Sequence, residues 1–412
     1  MRVLHVVKTA DGADWAAAQC AALGKLGLDL HVVLPKAEGR AAGKWLRSGA
    51  SVHVLPAGSL AGSPSSIFEE AEGFRQLVSR VRPDIIHAHF VRSAVLARWA
   101  LGKAHPIPRV FQVPGPLHME HLIPRTLELA TAGPQDSWIA SSRYIRDQYR
   151  VAGIADRRVY LSYYGIPAGV CRPARSGRLR KRYGIADRTK IVGNANFMYA
   201  PKYHLGQWIG VKAHEDAIDA LAMVVRQRSD AMGVLIGGAV GQSSAYERRL
   251  RERARRAAGD RILMTGYLPM EEVRQMWPDF DVAVHVPISE NCGGVGEPML
   301  AGVPVIAGRV GGLPEIVIEG LTGTLVPVRR PAELAAAALR VLDAPDRYRR
   351  LAENGRALVQ RLTDTNRIAG EIVGIYRHVL GMSPLAPEAF DAIGFLRSRE
   401  HENDVLQTPA IS

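Results

Sequence analysis

Short apolar, β-branched runs alternate with longer amphipathic stretches along most of the chain, and this rhythm predicts parallel strands joined by crossover helices. In the first half the strand candidates are residues 3–7, 30–34, 52–55, 85–87, 110–113, 137–140 and 159–162, with helical stretches such as 14–26 and 67–81 between them. A second series follows at 191–194, 233–236, 262–265, 282–286, 303–307 and 323–326. Alternation of this kind covers both faces of each sheet with helices. The expected fold class is therefore α/β, with two Rossmann-like doubly wound domains facing across a cleft.

Between Gly165 and Tyr183 the periodicity stops, because Pro167, Gly169, Pro173 and Gly177 interrupt it. This divides the chain into a first domain at 1–168, a hinge-like linker at 169–183 and a second domain at 184–364. Final helices are expected at 331–342, 345–362 and 366–380, and the stretch 365–381 is expected to cross back to the first domain. From 382 to 412 the chain has Pro384, Pro387 and Pro409 and little periodicity, which reads as an extended, partly disordered tail.

With 412 residues, 47% hydrophobic and 23% charged, the chain is an ordinary globular one, too long for a single compact core. The three cysteines, Cys20, Cys171 and Cys292, are odd in number and far apart, which fits neither a disulfide framework nor a zinc site. The start, Met-Arg-Val-Leu-His-Val-Val, runs straight into a strand pattern without a cleavable leader, and no apolar run is long enough to span a bilayer. A cytoplasmic protein is expected. Much of the net charge of +13 sits in Arg178-Leu179-Arg180-Lys181-Arg182 and in residues 247–256, where Arg and Glu alternate as on a solvated helix face. A charged surface accounts for it; peripheral attachment to the anionic inner membrane surface is the second reading. No motif supports a nucleic-acid partner.

The most informative stretch, residues 285–304, reads His-Val-Pro-Ile-Ser-Glu-Asn-Cys-Gly-Gly-Val-Gly-Glu-Pro-Met-Leu-Ala-Gly-Val-Pro and follows a strand candidate. Gly293, Gly294 and Gly296, around Val295, let backbone approach a ligand closely. A helix expected to open at Glu297 and Pro298 would turn its N–H groups toward a diphosphate. The Glu297 carboxylate has the acceptors for two neighbouring ribose hydroxyls.

Together with Gly308-Arg309-Val310-Gly311-Gly312-Leu313-Pro314-Glu315, this stretch resembles the donor-binding pattern of retaining GT-B-fold glycosyltransferases of family 4 type, which include sucrose-synthase-like and bacterial mannosyltransferase enzymes. The likeness extends more loosely over residues 1–380. It implies metal-independent transfer of a sugar from a nucleotide-diphosphate sugar, with retention of configuration and no cofactor. By the resemblance Glu290 contacts the transferred sugar and stabilises positive charge at its anomeric carbon. Six residues separate Glu290 from Glu297 where the family commonly has seven, so either Glu290 or Ser289 faces that sugar.

The resemblance also places Lys212 against the donor phosphates. The family's arginine is missing, since Asn194 follows Gly193, and an extra stretch at 199–209 carries Lys202, Tyr203 and His204. Lys202 is expected to replace the missing charge. In the first domain, Gly12 lies in the first strand-to-helix loop, where it would face the phosphates, and His118 matches the histidine that the family carries to the reacting sugar. His87 and His89 match positions that support the sheet edge. Gly237-Gly238 and Gly266-Tyr267-Leu268 would hold the nucleobase through backbone groups. The loops at 56–68 and 114–124 should read the acceptor, whether a lipid-linked sugar, a polysaccharide intermediate or a small aglycone. Cys292 has no neighbour to lower its pKa and is not expected to act as a nucleophile. Two rivals remain: a nucleotide-sugar epimerase of the same fold, and a catalytically weak nucleotide-sugar-binding protein. A sugar phosphorylase lacks its pyridoxal lysine context here, and a dehydrogenase its Gly-x-Gly-x-x-Gly after the first strand.

Overall fold

The computed structural model describes every residue except 57–63, 168, 172, 240–243 and 408–412. Parts of the expected acceptor loop at 56–68, of the linker limits and of the tail lie outside the described residues, as does the His204 side chain. The chain divides into two compact units, Met1–Pro167 with Thr363–Ala389, and Ala168–Leu362 with Phe390–Ser412.

The first unit is a parallel sheet of β1 (Arg2–Val7), β2 (Asp29–Leu34), β3 (Ser51–Val54), β4 (Ile85–His89), β5 (Arg109–Val113), β6 (Asp136–Ala140) and β7 (Val159–Leu161), in the order β3-β2-β1-β4-β5-β6-β7. Strand order reverses between β1 and β4. Helix Asp14–Lys25 packs against helix Thr365–Val379, and Cys20, Leu23, Ile368, Ile372 and Tyr376 interlock in one core with β1 and β2. The returning helix is started by Asp364, whose Oδ1 accepts the N–H groups of Asn366 at 2.8 Å and Arg367 at 3.0 Å.

On this sheet His5 of β1 lies in register with His87 of β4, and all three histidines, with His89, are buried. His5 Nδ1 is 3.1 Å from His89 Nε2, and His87 Nδ1 is 2.5 Å from the Tyr376 hydroxyl. Their ligand atoms are close, yet the rings stack, at 10° for His5 and His89 and 20° for His87 and His89. The His5 and His89 nitrogens meet in a hydrogen bond between the two imidazoles, in which one ring donates and the other accepts.

The second unit holds β8 (Lys190–Ala195), β9 (Ala231–Ile236), β10 (Ile262–Met264), β11 (Val282–His285), β12 (Val305–Gly308) and β13 (Thr324–Val326), again all parallel, in the order β10-β9-β8-β11-β12-β13. Order reverses between β8 and β11. Both sheets match the expected doubly wound class, and strand limits move by a residue or two from those expected. No helix among the described residues is long and apolar enough to cross a membrane.

Two expectations are corrected here. Residues Arg178–Tyr183, taken as linker and solvated charge, form a helix on which Leu179 and Arg180 are buried. Arg180 donates to the carbonyls of Ala186 and Thr189, both at 2.9 Å, while the Asp279 carboxylate accepts the N–H groups of Gly177 and Leu179. A buried carboxylate distant in sequence starts this helix, which is why no local pattern announced it. The tail, read as extended, contains helix Ala392–Gln407 packed against helix Pro345–Leu362. Its sequence carries few periodic apolar residues and an early Gly394, and burial of Leu396 anchors it.

Burial pushes the His5 imidazole down to about 3, against about 6.5 for an unfolded histidine. Between those values the unfolded chain binds a proton that the folded one does not. Stability therefore falls as pH drops through this window, by up to about 1.4 kcal/mol per pH unit from this residue. Thermal melts taken from about pH 7 to about pH 4 should lose stability steeply, and His5→Asn should flatten that slope; an unchanged slope would contradict the assignment.

Candidate functional site

The richest chemistry of the second unit gathers at the carboxyl ends of β8 and β11, where strand order reverses and ligands of such sheets characteristically bind. After β11 ends at His285, a loop leads into helix Gly293–Leu300. The expected start of this helix is corrected: it opens at Gly293, and Pro298 lies inside it rather than at its first position. The glycines already take the helical turn, so the first-turn N–H groups without intrahelical acceptors are those of Gly293, Gly294 and Val295, the Gly296 N–H being the first that the helix itself can satisfy, at the Cys292 carbonyl. No side chain caps them. A Cβ on Gly293 would meet open space, one on Gly294 would lie 2.0 Å from His285 Nε2, and Val295 is fully buried as the helix's anchor.

The following glycine pair supports this loop. Gly311 has φ +57°, and a Cβ there would lie 1.8 Å from the Glu290 carbonyl oxygen. Gly312 N–H donates to that same oxygen at 3.3 Å, and the Cys292 thiol donates to the Gly312 carbonyl at 3.2 Å.

Glu290 is the centre of the site. Its Oε2 accepts from the Lys212 ammonium and, at 3.0 Å, from His285 Nε2, while Oε1 accepts the Asn291 N–H at 3.0 Å. The Asn196 amide nitrogen lies 3.3 Å from His285 Nδ1. Ile288 N–H donates to the Val211 carbonyl at 2.9 Å, which ties the Glu290 loop to the segment bearing Lys212. Burial alone would raise the Glu290 pKa, but the Lys212 charge and the His285 hydrogen bond outweigh it and hold the carboxyl well below the usual range. Ser289 is buried, as is Asn194 where the family has arginine.

Glu297 pairs with Arg274 Nε at 2.9 Å, both half-buried, so a guanidinium from helix Met270–Met276 orients the expected ribose ligand. The loops after β9 and β10 are locked together: Gly237 N–H donates to the Gly266 carbonyl at 3.0 Å, and a Cβ on Gly238 would lie 2.8 Å from the Tyr267 nitrogen. Tyr267 is half exposed and stacks at 15° on Phe197, while Leu268 is buried beneath. Lys202 sits in a loop closed by its own backbone, with Gln207 N–H donating to the Lys202 carbonyl. Its ammonium is in no ion pair among the described residues, in contrast to Lys212.

In the first unit Gly12 has open space at its Cβ position, beside the start of helix Asp14–Lys25. The His118 imidazole turns inward. Its Nε2 is 2.9 Å from the Tyr149 hydroxyl, the Gly115 backbone takes its other bond, and burial pushes it down to about 4. Tyr149 in turn is buried beside the Arg98, Glu128 and Asp136 ion network, so His118 borders a polar core. His285, Asn196 and Arg274 were not anticipated. His285 stood five residues before Glu290 in a strand end, where its ring direction has no sequence signal.

The description Glycosyltransferase Family 4 matches residues 15–169, and Glycosyl transferases group 1 matches residues 203–358. This chain belongs to the family 4 glycosyltransferases. It is 27% identical to a D-inositol 3-phosphate glycosyltransferase of Acidothermus cellulolyticus over 72% of this chain and 67% of that one. It is 29% identical to an alpha-D-kanosaminyltransferase of Streptomyces kanamyceticus over half of each chain. The matches thus take in half to two thirds of these relatives' length. The Anabaena protein Alr3699/HepE, solved in complex with UDP-glucose, superposes with a TM-score of 0.76 over 90% of this chain and 98% of its own, at 20% identity, and shares the GT-B fold of this glycosyltransferase.

The two glycine contacts separate in a stability measurement. Gly311→Ala must abandon its left-handed backbone or displace the Glu290 carbonyl, and should cost about 2 kcal/mol or more. Gly293→Ala, in a helix with open space, should be neutral or stabilising by up to about 1 kcal/mol. Equal effects in chemical denaturation would contradict the geometry.

Proposed function

We propose that this glycosyltransferase moves a sugar from a nucleotide-diphosphate sugar to a hydroxyl-bearing acceptor, without a metal and with retention of configuration. The observation that carries the reading is the Lys212–Glu290 ion pair beside the uncapped N–H groups of Gly293, Gly294 and Val295 in the first turn of the helix. A diphosphate on that turn competes with Glu290 for the ammonium, and as the more highly charged anion it draws Lys212 away. Glu290 is then left with a full negative charge beside the sugar, where charge develops at the anomeric carbon. Glu297, steadied by Arg274, takes the ribose hydroxyls, and the Gly237–Gly238 and Gly266–Tyr267 loops take the base.

Retention calls for no protein nucleophile, because the leaving phosphate assists attack from its own face. Burial pushes the Cys292 thiol far up, which removes it as a nucleophile. His118, with both nitrogens engaged, is proposed as a support for its loop rather than a sugar contact. Lys202 is proposed as the cation that supplements Lys212 on the phosphates. The HepE complex with UDP-glucose supports a nucleotide-sugar donor.

A thermal-shift panel of nucleotide-sugars identifies the donor, since ligand binding raises the melting temperature. With that donor, Glu290→Gln should lower kcat by about 100-fold or more while donor affinity changes little. Lys212→Ala should weaken donor and nucleoside diphosphate binding together, and Lys202→Ala should do so to a smaller extent. Full transfer activity in Glu290→Gln contradicts its role, and conversion of the donor with no acceptor present marks an epimerase instead.

A further inference from the structure

His285 closes β11 with its imidazole buried under the first turn of the donor helix, and two neighbours fix how that ring carries its proton. Glu290 Oε2, 3.0 Å from Nε2, can only accept, so Nε2 must bear hydrogen. The Asn196 amide nitrogen, 3.3 Å from Nδ1, can only donate, so Nδ1 must present its lone pair. Both constraints select one neutral tautomer. The ring also has no room to swing, because the Gly294 backbone lies directly on it: even a Cβ there would come within 2.0 Å of Nε2.

We propose that His285, set in its Nε2–H form by Asn196, is the positioning residue that keeps the Glu290 carboxylate aimed at the donor sugar after Lys212 has turned to the diphosphate. This rests on the roles given above to Glu290 and Lys212. Of the three donors on Glu290, the lysine stands on a flexible stem and follows the stronger anion, whereas the packed imidazole and the Asn291 N–H stay in place. Neutrality matters as much as placement. An imidazolium would cancel the negative charge that the carboxylate must present, and burial holds the ring in its neutral form. Because the same ring is the floor under Gly294, one side chain fixes the carboxylate and the N–H turn relative to each other.

The test combines kinetics with a direct view of the tautomer. In the full chain labelled with 15N-histidine, long-range proton–nitrogen spectra should show His285 protonated at Nε2, with its signal assigned by its loss in His285→Gln. In Asn196→Asp a carboxylate replaces the donor, and the proton should move to, or be added at, Nδ1. His285→Phe and Asn196→Asp should each lower kcat at least tenfold with the donor KM within about threefold. His285→Gln, whose amide reaches the Nε2 position, should recover most of that loss. If His285→Phe fails to fold in a thermal melt, the Gln and Asp variants still decide the matter. A wild-type ring protonated at Nδ1, or equal kcat in wild type, His285→Phe and Asn196→Asp, overturns the proposal. If the wild type transfers no sugar from any nucleotide-sugar, it is the proposed function that falls, and the tautomer measurement still judges the Asn196–His285 arrangement.

Discussion

A carboxylate taken out of water must be compensated, and the burial of Glu290 imposes that demand on every strand end around it. The compensation comes from Lys212 after β8, His285 at the end of β11 and the Asn291 N–H. These groups meet because the two strands are neighbours at the point where order reverses. Remove either cationic or donor partner and a buried charge is left uncovered, a defect that costs several kcal/mol. The glycines follow from the same constraint: Gly294 because the His285 ring occupies the space of any side chain, Gly311 because the Glu290 carbonyl does. Glu290 is thereby held charged, and under the proposed function an incoming diphosphate would find a lysine whose existing partner can be exchanged.

The first unit solves a similar problem without exchange. Arg98, Arg109, Glu128 and Asp136 are all buried and mutually paired, with Arg98 on Glu128 at 2.7 Å and Arg109 on Asp136 at 2.8 Å. Each charge there has fixed partners on neighbouring strands and helices. Histidines of the same unit are kept neutral by burial, His5 and His118 alike. Buried histidines of both units, His5 and His118 in the first and His214 in the second, stay neutral and lower stability as the pH falls, while the Lys212–Glu290 pair lies in the second unit.

Much of this fold was legible because parallel sheets covered on both faces write themselves as β-branched runs between amphipathic stretches. The strand ends moved little, since the runs themselves end where burial ends. What failed to show was whatever depends on residues distant in sequence. Helix Arg178–Tyr183 owes its start to Asp279, and the helix at Ala392–Gln407 owes its place to Leu396 against a neighbouring helix. In the site, resemblance singled out Glu290, Glu297 and Lys212 as expectations, and the folded chain pairs Lys212 with Glu290 and Arg274 with Glu297. Pro298 misled about the helix start, since proline is commonest at a first position and here sits in the second turn. His285 and Arg274 were invisible because only the folded chain shows which carboxylate each one meets.

Under the proposed function Lys212 leaves Glu290 when a nucleoside diphosphate binds. Carbon-detected NMR titration of the Glu290 carboxyl, with and without saturating nucleoside diphosphate, measures this directly. Losing the ammonium and gaining a neighbouring anion both favour the protonated form, so the titration point of Glu290 should rise on binding. A titration point that stays where it was, or falls, would contradict the exchange on which this account of the site depends.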